Sequence, residues 1–98
     1  MATATNDDLD EALVLDGNAV AGELQAIFGS DMTGNDAECA SCGKTHAMGA
    51  LMAFTGGPGI ILRCPSCTAV MLRVARTSHG TYVDARGSAM VLLRERSA

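Results

Sequence analysis

Cys39-Ala40-Ser41-Cys42-Gly43 and Cys64-Pro65-Ser66-Cys67 decide how this chain is read. Each is a C-x-x-C pair, and 21 residues lie between the pairs. Two such pairs in one short chain suit a tetrahedral four-thiolate site, most often zinc. A C-x-x-C turn lets two sulfurs converge on one ion. Its backbone N–H groups point inward, where they donate to the thiolates and offset their charge. Gly43 suits such a knuckle because glycine takes positive φ freely. Thr68 holds the matching place after the second pair, a departure from the commonest knuckle, and Pro65 stiffens that turn. Protein fills all four positions, so no place is left for water or substrate. The reading is a closed structural site with Cys39, Cys42, Cys64 and Cys67 as ligands to one zinc ion and with no catalytic role. The same four thiolates also suit a single iron, and a dithiol redox pair or disulfides remain as further alternatives. His46, four residues past Cys42, has no missing ligand to replace and reads as a strand-start or surface residue.

At 98 residues the chain makes one domain, too short to bury a large core. It has three aromatics, Phe28, Phe54 and Tyr82, so the core comes from aliphatic and methionine side chains. A structural metal supplies what such a core lacks, because its binding energy appears as the chain folds. The start of the sequence has no basic region with an apolar run behind it, which argues against a secretory signal. No run approaches about 18 apolar residues, so no membrane span is expected. These features point to a cytoplasmic protein, where disulfides are rare.

Charge is divided sharply along the chain. Residues 1–38 hold six Asp and three Glu with no Lys or Arg, a formal charge of −9; residues 39–98 hold seven basic and two acidic residues, +5. The simplest account is that the acidic N-terminal part packs near its own basic sheet; the other is that the two halves face different partners.

Three regions follow from patterning. Residues 1–8 are small and polar and read as a disordered tail. Residues 9–29 read as an acidic helical arm. Its first segment, from Leu9 through Leu15, forms one or two helical turns, with Asp7, Asp8, Asp10 and Glu11 at the positive end of the helix dipole. Its second is a helix over 18–28, capped by Asn18 and ended by Gly29, with Val20, Leu24, Ile27 and Phe28 on one face. Residues 30–98 read as the β domain. Strands are expected at 47–54 with Met48, Met52 and Phe54 on one face, at 60–63, at 69–77, at 81–84 and at 89–93. Gly-rich connectors make these an antiparallel meander. Folding 47–63 back as a hairpin brings the second cysteine pair beside the first. The expected fold class is α+β: a helical arm plus a small antiparallel sheet of four to five strands.

The Cys-Ala-Ser-Cys-Gly and Cys-Pro-Ser-Cys turns, joined by a hairpin, resemble the zinc-ribbon superfamily over roughly residues 37–77. The whole chain, with Leu-Asp-Gly-Asn-Ala-Val-Ala-Gly at 15–22, also looks like a small uncharacterised actinobacterial family of unknown function. Zinc ribbons serve transcription, translation and enzyme assemblies, so the resemblance implies a module and no particular activity. The leading expectation is a non-enzymatic adaptor or accessory subunit. It would bind another protein, or itself, through the apolar sheet or the helical arm. The turns are also similar to rubredoxin-like iron electron carriers, which implies an oxidoreductase partner, although the scarcity of aromatics departs from that family. A third reading is a nucleic-acid-binding ribbon, with Arg63, Arg73 and Arg76 sharing a region and touching phosphates. Against it stand a sequence pI of about 4.8 and a single stacking residue there, Tyr82.

Overall fold

The computed structural model describes residues 14–57 and 59–94, so the expected tail at 1–8 and the first helical turns at 9–13 lie outside the described residues. The fold is α+β: one short helix near the N-terminal side and two antiparallel sheets. The elements are β1 (Val14–Asp16), a 3-10 turn (Gly17–Val20), α1 (Ala21–Phe28), β2 (Asp36–Cys39), β3 (Thr45–Ala47), a second 3-10 turn (Met48–Ala50), β4 (Met52–Phe54), β5 (Gly59–Arg63), β6 (Val70–Thr77), β7 (Gly80–Asp84) and β8 (Ser88–Val91). The larger sheet has the order β1-β4-β5-β6-β7, and the smaller one β3-β2-β8. No described helix is long and apolar enough to cross a membrane.

The helix occupies the later part of the expected 18–28: Gly17–Val20 form a 3-10 turn and α1 begins at Ala21, so Val20 and not Asn18 stands at its N-cap, with no side-chain cap hydrogen bond. Gly29 ends it in the left-handed conformation, with its N–H donating to the Gln25 carbonyl at 2.8 Å. Val20 and Leu24 are fully buried, and Ile27 and Phe28 pack against the same core. The helix lies on one face of the large sheet, where alternation turns Ala53, Ile60, Leu62, Leu72 and Val74 inward. Met32, Ala37, Met48, Leu51 and Met71 complete this core, with Cys39 and Cys64 at its edge.

Three further expectations change. Leu15 belongs to a strand: Val14, Leu15 and Asp16 pair with Phe54, Ala53 and Met52, so the sheet's edge precedes the helix. The strand expected at 47–54 is broken by the 3-10 turn at 48–50, which places Met48, Leu51 and Ala53 inward and leaves Met52 and Phe54 on the opposite face. Gly49 permits that turn. Its N–H reaches the Thr33 carbonyl at 2.9 Å, and a Cβ there would lie 2.5 Å from Asn18 Oδ1. The last strand leaves the meander. Instead of extending the large sheet beyond β7, β8 pairs with β2 in a second sheet. The turn before it is held by Asp84, which accepts two hydrogen bonds from the Arg86 side chain and one from its backbone N–H.

Leu24→Asp places a carboxylate at a position with 0% exposure. The expected loss exceeds about 3 kcal/mol, from the deleted apolar burial and the cost of an unpaired buried charge. That lowers the thermal midpoint by more than about 10 °C in a chain this size. A melt monitored by circular dichroism checks it, and an unchanged midpoint would show that the helix does not cover the core.

Candidate metal centre

Each cysteine pair sits at the tip of a hairpin, and the two hairpins are built alike. The first pair lies between β2 and β3, and the second between β5 and β6. In the first, the Cys39 N–H donates to the Lys44 carbonyl and the Gly43 N–H donates to the Cys39 carbonyl, both at 2.9 Å. In the second, the Cys64 N–H donates to the Ala69 carbonyl at 2.9 Å and the Thr68 N–H to the Cys64 carbonyl at 2.8 Å. The register shifts between Glu38 and Cys39, and again between Leu62 and Arg63. In each case the partner strand carries the extra residue, Ala89 of β8 opposite β2 and Met71 of β6 opposite β5, so a bulge lies beside the entry to each knuckle.

Thr68 adopts the conformation its place demands. Its φ is +66°, against +78° for Gly43, and among the described residues it is the one non-glycine with positive φ. The knuckle geometry thus overrides the preference of a β-branched residue, at a cost of roughly 1–2 kcal/mol. Local bonds hold it there. The Thr68 hydroxyl donates to the Cys67 carbonyl at 2.6 Å, and the Arg63 guanidinium donates to the Thr68 carbonyl at 2.8 Å.

The structure brings all four cysteines together, with every Sγ within 4.8 Å of the others. Across the two knuckles, Cys39 Sγ lies 3.6 Å from Cys67 Sγ and Cys42 Sγ lies 3.7 Å from Cys64 Sγ. Sulfurs about 2.3 Å from a central tetrahedral ion are about 3.8 Å apart. The cage therefore fits a metal ion held by four thiolates. Cys39 and Cys64 are buried, Cys67 is half-buried and Cys42 is exposed, so the site opens toward solvent on one side.

The electrostatics show why a cation belongs there. At Cys39 the backbone N–H of Cys42 holds the thiol below its ordinary value, against the opposing effect of burial. Burial pushes the Cys64 thiol up, but the backbone N–H groups of Cys67 and Ser66 outweigh it and hold it at about 6. At Cys42 the Lys44 backbone N–H favours the thiolate, yet burial and the Cys64, Cys67 and Cys39 sulfurs together push it up to about 11. The knuckle amides thus stabilise the first thiolates, and their accumulated charge opposes the rest. A divalent cation removes that opposition.

The surroundings add contacts that spacing alone did not signal. His46 is half-buried on β3 and is not among the clustered ligands, but its Nε2 shares a 2.9 Å hydrogen bond with Ser66 Oγ, tying the first hairpin to the second knuckle. The Ala40 N–H donates to the Gly87 carbonyl at 2.9 Å, and the Ser88 hydroxyl donates to the Met71 carbonyl at 2.8 Å. The turn before β8 thereby touches both hairpins. The three arginines expected to share one region do not. The alternation along β6 puts Arg73 on the uncovered face of the large sheet, with Arg63 of β5. Arg76 falls on the helix side, lining a hollow with Glu23 and Ile60.

Thr68→Gly removes the left-handed strain of about 1–2 kcal/mol and adds about 0.5–1 kcal/mol of glycine entropy cost. The expected result is a metal-loaded protein more stable by up to about 1 kcal/mol, read from denaturant midpoints at unchanged metal content. A loss of stability would mean that the Thr68 hydroxyl bond outweighs the strain.

Residues 8–96 match the family described as "Family of unknown function (DUF6510)". No curated protein and no solved structure matches the chain.

Proposed function

The chain belongs to DUF6510, a family of unknown function, and we propose from its own geometry that it is a small non-enzymatic zinc-ribbon protein whose metal site organises a surface for binding another protein. The observation that carries the first half is the convergence of Cys39, Cys42, Cys64 and Cys67 from two like-built hairpin tips. Four protein ligands close a tetrahedral shell and leave no position for a substrate, which supports a structural over a catalytic ion. Zinc is the reading preferred for a closed four-cysteine site. The ion would join the hairpin of the small sheet to that of the large one, and its binding free energy would become folding free energy.

The second half rests on the large sheet's outer face. The helix covers the other side, while Met52, Phe54, Ile61 and Tyr82 stand on this one. Tyr82 is 61% exposed. An apolar face left open on so small a protein favours an interaction role. An adaptor acting in the cytoplasm is the form this takes.

Elemental analysis with a visible spectrum, on protein purified without added metal, tests the ion. One colourless zinc per chain is the expected result; one iron with a reducible red chromophore would make the chain an electron carrier instead. In Cys64→Ser the expected outcome is loss of the ion and of cooperative unfolding, because that ligand is fully buried where β5 meets the site. A variant melting like the parent without metal would separate the fold from the site. For the surface, an affinity pull-down compares the parent chain with Tyr82→Glu, an exposed change that leaves the core alone. A partner retained by the parent and lost by the variant is expected, and equal retention by both would remove this face from the reading.

A further inference from the structure

Two open sheet faces carry opposite charge on one pattern. On the outer face of the large sheet, register sets Met52 opposite Arg63 and Ile61 opposite Arg73. Arg63 and Arg73 stand diagonally on neighbouring strands, about 7–8 Å apart at the usual spacing. Arg63 lies over the Phe54 ring at 5.5 Å, and Phe54, Ile61, Arg73 and Ala75 line a groove of about 200 Å³. On the outer face of the small sheet, Glu38 lies opposite Met90. Asp36 carries the pairing one residue further, to Leu92, whose N–H donates to the Asp36 carbonyl at 2.8 Å. Asp36 and Glu38 are two residues apart on one strand, about 7 Å. Met90 is 42% exposed and Leu92 38%.

Neither face is satisfied on its own. Among the described residues the one ion pair is Asp84–Arg86 at 2.7 Å, so two arginines stand together on one face and two carboxylates on the other without charged partners. Arg63 donates to the Thr68 carbonyl, which occupies a donor but leaves its charge uncompensated. Asp16, at the β1 end of the large sheet, is two strands from Arg63, about 10 Å at the usual strand spacing. In both faces an apolar side chain lies across from each charge, and the two charges have similar spacing. Each face therefore supplies what the other lacks. The inner faces of both sheets share one core, through Ala37 and Cys39 on one side and Ala53 and Leu62 on the other. The outer faces point away from that core, so they meet between molecules and not within one.

We infer that the outer face of the small sheet docks on the outer face of the large sheet of a second copy, Asp36 and Glu38 toward Arg63 and Arg73, Met90 and Leu92 toward the Phe54–Ile61 groove. The inference rests on reading the large sheet's face as a binding surface, and it names the occupant. Attraction between exposed charges contributes little by itself and chiefly sets orientation; burial of Met90 and Leu92 supplies the remainder. The contact is head-to-tail, so association closes as a ring or grows as a chain.

Sedimentation velocity of the full chain over a concentration series tests this, with circular dichroism melts to establish that each variant is folded. The parent is expected to associate. Arg73→Glu and Asp36→Lys, both at exposed positions, should each raise the apparent Kd at least several-fold. An equimolar mixture of the two should associate like the parent, because each variant offers the face that the other has lost. Should a reversal lower the melting midpoint, Arg73→Gln and Asp36→Asn repeat the comparison and are expected to weaken association in the same direction. A parent that stays monomeric would overturn the inference, as would association indifferent to either charge change or a mixture no better than its components. A monomeric parent overturns the inference alone, since the Tyr82→Glu pull-down still judges the face as a binding surface.

Discussion

The approach of the two knuckles is the constraint on which the rest of the structure depends. Cys39 ends β2 of the small sheet, and Cys64 directly follows β5 of the large one. Among the described residues no backbone ladder runs between those sheets, and their sulfurs, 3.6 and 3.7 Å apart in cross-knuckle pairs, mark a joint between them. Four thiols at that spacing do not shed their protons together unless a cation compensates them, as the raised Cys42 shows. A metal ion held by these four thiolates would tie the two sheets together at this joint. The bridges from His46 to Ser66 and from Ala40 to Gly87 fasten the same joint from its rim.

Away from the joint, the fold solves the problem of a core almost without aromatics by layering. The helix and the 3-10 turns lay Val20, Leu24, Met48 and Leu51 against the inward row of the large sheet. Unbranched methionines at 32, 48 and 71 fill the irregular space where helix, turns and both sheets meet, a task suited to a flexible side chain. This cover reaches one side of the sheet. The opposite side keeps Met52, Phe54, Ile61 and Tyr82, with Arg63 and Arg73 among them, neither of which forms an ion pair among the described residues.

Local signals carried far where the interactions were local. The second helix was legible from its apolar period and from Gly29, and β5, β6 and β7 from their composition and the glycines between them. The strand at 14–16 was not, because Leu15 follows a run of acids that also suits a helix start, and its pairing with Ala53 is a contact 38 positions away along the chain. The stretch at 47–54 misled for a similar reason. Its alternation is compatible with one strand, and the turn at Met48–Ala50 exists because Thr33 and Asn18 approach Gly49 from elsewhere. Thr68 is the converse case. Its left-handed backbone contradicts residue preference and follows from the same hydrogen bonds that shape the glycine-containing knuckle.

The sequence by itself determined the two cysteine pairs that cluster, the α+β class and the division into acidic and basic halves, because C-x-x-C spacing, helical period and charge are properties of neighbours along a chain. Tertiary structure alone decided that there are two sheets, that β8 returns to β2, and that Arg63 and Arg73 share a face from which Arg76 is excluded. Those outcomes depend on strand register and on which side of a pleated surface becomes covered. A one-residue change of register reverses every side chain, so no local pattern holds that information.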